Sequence, residues 1–105
     1  MRVTHTLVFA ALYLMPFSYV HAASTVSVKS YTFAPAAITI AAGNTVTWIN
    51  QDDDPHTVKS VGPDTALKSP ALDTNDKYSF TFTKPGVYKY FCTLHPHMQG
   101  EIIVQ

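Results

Sequence analysis

The sequence predicts an all-β sandwich of about seven to eight strands. Three observations carry that expectation. Apolar and polar residues alternate in Tyr78-Ser79-Phe80-Thr81-Phe82-Thr83 and again in Thr45-Val46-Thr47-Trp48-Ile49-Asn50, the period of a half-buried strand. Turn signals such as Gly43-Asn44 and Pro85-Gly86 stand between most of the runs. From residue 23 onward the chain reads as strands throughout.

Val26 and Val28, then Tyr31 and Phe33, open the series, and Ile38-Thr39-Ile40 follows. After the Gly43-Asn44 turn, Val46, Trp48 and Asn50 face one way and Thr45, Thr47 and Ile49 the other. Residues 56–60 form a short strand. Residues 62–76 hold Pro63 and Pro70 and few periodic positions, so they read as a long loop anchored by Leu67 and Leu72. Residues 78–83, 87–92 and 101–104 complete the set.

The chain begins like a secretory signal peptide. Arg2 supplies the positive start, residues 7–20 are mostly apolar, and Val20-His21-Ala22 offers a cleavage point. The apolar run is short and broken by Pro16, which favours removal over anchorage in a membrane. Residues 1–22 are therefore expected to be cut away in a bacterial periplasm, leaving residues 23–105 as one domain of about 83 residues. So small a domain buries only roughly 60–65% of its unfolded surface.

Seven basic residues balance seven acidic ones, and of these only Arg2 falls in the leader. With no Arg and no basic stripe left, nucleic-acid binding finds no support. The mature part has no apolar span long enough to cross a membrane. A disulfide is the usual support for a small exported domain, yet Cys92 is the sole cysteine. A metal ligated by that thiol would shield it from oxidation and add stability through binding; a buried, inert thiol is the plainer alternative. An immunoglobulin-type sandwich, suggested by Tyr90 two residues before Cys92 and by Trp48 upstream, lacks its second cysteine.

The chemistry concentrates in Cys92-Thr93-Leu94-His95-Pro96-His97-Met98, followed by Gly100. A thiolate, an imidazole and a thioether lie within seven residues. Two His, one Cys and a weak axial Met form the ligand pattern of blue-copper electron-transfer sites. The second imidazole must come from another strand end, and His56 in Asn50-Gln51-Asp52-Asp53-Asp54-Pro55-His56 is the best candidate. A Met alone is usually a core filler and a lone His a satisfied polar residue; the joint spacing is what carries the reading. Zinc, with His97 in place of Met98, is the rival, although a thioether is a poor zinc ligand. The three adjacent Asp residues, 52–54, read as a solvated turn.

The run from Val46 to Asn50, then Pro55-His56 and residues 88–100, resembles an amicyanin-type cupredoxin, a relative of plastocyanins, pseudoazurins and azurins. The resemblance implies a Greek-key sandwich and one copper ion cycling between Cu(I) and Cu(II). It makes His56 and His95 the imidazole ligands, Cys92 the thiolate and Met98 the axial thioether. It also implies that Asn50 ties the His-bearing loop to Thr93. An exposed edge of His95, with Leu94, Pro96, His97 and Ala36 around it, becomes the electron port. Leu94 stands where such proteins typically carry Pro, so its N–H is expected to donate to the Cys92 sulfur and raise the reduction potential. His97 stands where Phe is typical. The implied activity is single-electron transfer and not catalysis, because four protein ligands leave no open position. Redox proteins, a dehydrogenase or a c-type cytochrome, are the implied partners of a monomeric carrier. A copper carrier delivering the metal to another secreted protein is the alternative.

Overall fold

A computed structural model describes residues 23–105, and the leader expected over 1–22 lies outside the described residues. Its eight strands are β1 (Ala23–Lys29), β2 (Thr32–Ala34), β3 (Ala37–Ile40), β4 (Thr45–Asn50), β5 (Lys59–Ser60), β6 (Lys77–Thr81), β7 (Gly86–Phe91) and β8 (Gln99–Val104). They form two four-stranded sheets, ordered β2-β1-β4-β6 and β3-β8-β7-β5. From β2 to β7 every successive strand lies in the opposite sheet, the crossing pattern of a Greek-key sandwich.

The period-two pattern places the core. Val46, Trp48 and Asn50 are buried while Thr45, Thr47 and Ile49 are only partly so, as the alternation requires. Trp48 and Phe33 each meet the ring of Tyr90 edge-on, with centroids 5.4 and 4.8 Å away, a favoured aromatic geometry. Val26, Val28, Phe82, Ile102 and Val104 fill the space around them. Gly100 sits in β8 where a Cβ would come within 2.5 Å of the Tyr90 ring. Its lack of a side chain admits that ring to the core.

Two features bring the functional end together. β1 runs parallel to β4, with Val26 opposite Trp48, so both strands end on the same side. The turn after Lys29 therefore lies beside the loop after Asn50, and the Gln51 N–H donates to the Val28 carbonyl at 2.8 Å. β7 delivers Cys92 to the same rim. The strand expected over residues 56–60 shortens to Lys59–Ser60. His56 instead pairs with Leu72 in an isolated bridge, and the Val58 N–H donates to the Ser69 hydroxyl. The long loop of residues 62–76 satisfies those backbone groups in place of a neighbouring strand, anchored by the buried Leu67 and Leu72.

Candidate metal centre

Cys92 leaves β7 fully buried, and the loop beyond it folds back at once. The Cys92 N–H donates to the Met98 carbonyl at 3.1 Å, and the Met98 N–H to the His95 carbonyl at 2.9 Å. These bonds turn the ligands at every third position inward: Cys92 and Met98 are buried and His95 half-buried, while Leu94, Pro96 and His97 are exposed. From the other side, Pro55 leads into the fully buried His56.

The sulfur of Cys92 lies 3.7 Å from Nδ1 of His56 and 3.8 Å from Nδ1 of His95. One donor atom from each of the three residues falls within 4.8 Å of the other two, close enough to share one ion. Burial by itself pushes the Cys92 thiol up, but the Thr57 amide and the two imidazoles outweigh it and bring the thiol down to about 6. A thiolate at neutral pH is the form that ligates metal. Two imidazoles, a thiolate and a buried thioether form a soft donor set that suits a single copper ion better than any hard cation.

The surroundings differ from the sequence expectation in three respects. Asn50 does not reach Thr93. Its side-chain N–H groups donate to the carbonyls of Asp54 and Leu72, at 2.9 and 2.8 Å, and its oxygen accepts the Asp52 N–H. It thus shapes the His56 loop from within. The link to Thr93 comes from Thr57, whose hydroxyl meets the Thr93 hydroxyl at 2.8 Å and accepts the Thr93 N–H at 2.7 Å. The Cys92 sulfur accepts from the Thr57 N–H at 3.3 Å and meets the Thr57 hydroxyl at 3.8 Å, with the His95 amide as a further donor, where the Leu94 N–H was expected. The residue after His56 faces Cys92 directly, whereas Leu94 sits outward on the loop and is 49% exposed.

The acidic run, third, does not simply face solvent. Asp52 is no solvated turn residue: its carboxylate accepts from Nε2 of His56 at 2.8 Å, from the Ser30 N–H at 2.7 Å and from the Tyr31 N–H at 3.0 Å. Burial works against that charge, but the two amides and the imidazole hold the carboxyl below its ordinary value. A carboxylate on the far nitrogen of a ligand His fixes the ring's tautomer and orientation and raises its basicity. Asp54 accepts the hydroxyl of Tyr31, and the Tyr31 ring meets both ligand imidazoles. Sequence reasoning missed Asp52, Tyr31 and Thr57. The only available sign was the proximity of Asp52 and Thr57 to His56.

A soft four-ligand centre on the rim of a Greek-key sandwich defines the class of single-copper β-proteins. Residues 4–104 match the cupredoxin-like domain, and the chain belongs to that family. It is 44% identical to the amicyanin of Paracoccus denitrificans over 69 residues, 63% of this chain and 53% of that protein. It is 36% identical to amicyanin-alpha of Methylorubrum extorquens over 83 residues, 76% and 70% of the two chains. The chain thus spans about half the length of the Paracoccus relative. Among solved structures, the Cu(I) form of an amicyanin point mutant superposes with a TM-score of 0.75 at 35% identity, covering 84% of this chain and 87% of that one.

Proposed function

We propose that this protein is a blue-copper electron carrier, exported by its 1–22 leader and acting as a monomer between redox proteins in the periplasm. The observation that carries the reading is the convergence of the two Nδ1 atoms on a thiolate sulfur, at 3.7 and 3.8 Å, beside a buried Met98. Bound copper supplies a one-electron couple. The residues supply a fixed frame: His56 is held by Asp52, Cys92 by the Thr57 amide, and the ends of the loop by each other. A frame that changes little with oxidation state allows fast electron exchange, because little has to move.

His95 is the electron port in this reading. It is the half-buried member of the set, and Leu94, Pro96 and His97 beside it are exposed. An apolar Leu and Pro at the port suit close docking of a partner such as a dehydrogenase or a c-type cytochrome. Delivery of copper to another protein is the second reading. The burial of His56, Cys92 and Met98 speaks against ready release of the ion.

Visible absorption and EPR of the Cu(II)-loaded protein beside Cys92→Ser test the reading. An intense thiolate-to-copper band with small copper hyperfine splitting, lost in the variant, is the expected result. A pale spectrum with ordinary splitting would overturn it.

A further inference from the structure

Tyr31 occupies the second position of the two-residue turn between β1 and β2, where Lys29 pairs with Thr32. Both turn residues are left-handed, Ser30 with φ of 53° and Tyr31 with φ of 58°. Such a turn favours Asn-Gly, and a bulky aromatic residue with positive φ is a genuine outlier. Strain of this kind persists only where the surroundings over-determine it, and it clusters at functional sites. Here Asp52 accepts both turn amides, and Asp54 accepts the phenol hydroxyl. The strained backbone aims one ring. That ring meets His95 edge-on with centroids 5.0 Å apart and His56 edge-on at 5.4 Å, while the residue as a whole stays 41% exposed.

We propose that Tyr31 is a positioning residue that roofs the metal centre, fixing the planes of both ligand imidazoles and keeping water and small reagents from the Cys92 sulfur. The inference builds on the copper reading of the site, but it concerns the enclosure of the ligands, whichever metal they hold. A hairpin turn chosen for stability alone would carry Gly or Asn here. The aromatic residue is explained by what its ring covers.

Tyr31→Gly separates the two roles, because glycine removes the ring and relieves the left-handed backbone in one step. The assay is the reaction of the sole thiol in metal-free protein with an aromatic disulfide reagent. Tyr31→Gly is expected to react about tenfold faster, the factor that losing two edge-to-face ring contacts would supply, with a melting temperature within about 5 °C of the parent. Tyr31→Asn, also tolerated in the left-handed region, should behave alike. Tyr31→Phe keeps the ring and should stay within about twofold of the parent. Once loaded with copper, the Gly variant should show a lower reduction potential, since admitted water favours the more highly charged ion.

Parent-like thiol reactivity in the Gly and Asn variants would overturn the proposal. So would a Phe variant as reactive as Gly, or variants that melt far below the parent, which would mark Tyr31 as a folding residue. The thiol assay uses no copper, so its failure leaves the blue-copper reading standing. A pale copper spectrum in the parent would sink that reading without touching the thiol result.

Discussion

The two imidazoles of the centre stand at nearly equal distances from the Cys92 sulfur, 3.7 and 3.8 Å, yet they are held in opposite ways. His56 is fully buried, its far nitrogen bonded to Asp52, its backbone paired with Leu72, and its loop braced by Asn50. His95 sits half-buried in a loop of a few residues, and its carbonyl takes one backbone bond, from Met98. One ligand belongs to the scaffold and the other to the surface. The same side chain therefore serves as an anchor in one place and as a door in the other.

Removing each ring should show the largest difference. His56→Gly leaves a closed, buried gap beside Asp52, so copper affinity should fall well beyond the roughly 10–100-fold that outer partners contribute, and added imidazole should not restore it. His95→Gly opens a gap toward solvent, so added imidazole should refill it and return the parent spectrum. Equal rescue of both variants, followed by absorption at increasing imidazole, would break the comparison. Asp52→Ala should lower copper affinity by about 10–100-fold, measured by competition against a chelator of known affinity. An affinity unchanged in that variant would mean that the anchoring comes from the backbone alone.

Smaller effects sharpen the contrast at the foot of each element. Gly100→Ala forces a methyl group against the Tyr90 ring under the His95 loop, and overpacking of this kind costs about 1–3 kcal/mol. For a domain of this size each kcal/mol lowers the melting temperature by about 4–8 °C, which a thermal scan resolves. Thr57→Val keeps the amide on the Cys92 sulfur at 3.3 Å but removes the hydroxyl that joins the two loops across Thr93 and meets the sulfur only at 3.8 Å. Its cost should be about 1 kcal/mol, with little change in the copper spectrum. A large spectral change would show that the hydroxyl, and not the amide, governs the thiolate.

The division between anchor and door also marks what could be read from the sequence. Alternation exposed β4 and β6, because a strand with one buried face writes its period directly into residue type. The ligand spacing was equally plain: soft donors are rare, and one loop carries two of them with an imidazole midway between. The braces were not legible. Asp52 acts on Ser30 and Tyr31, some twenty residues away, through backbone amides that carry no residue signature. The Ser30-Tyr31 turn lacks the Asn or Gly that would announce left-handed geometry. Thr57 replaced Asn50 and Leu94 in their expected bonds because the direction of a side chain at a strand end depends on where pairing stops. Pairing with β7 starts three residues later than the sequence implied, at Lys59.

The three-residue spacing of Cys92, His95 and Met98 has one more consequence. It sorts the loop into an inner register that meets the metal and an outer one, Leu94, Pro96 and His97, that meets the surroundings. On the proposed electron-carrier reading, substitutions in the outer register retune which proteins dock without disturbing the ligands behind them. In such a loop the surface that a partner would meet and the chemistry of the ion are free to evolve at different speeds, on interleaved residues of the same short segment.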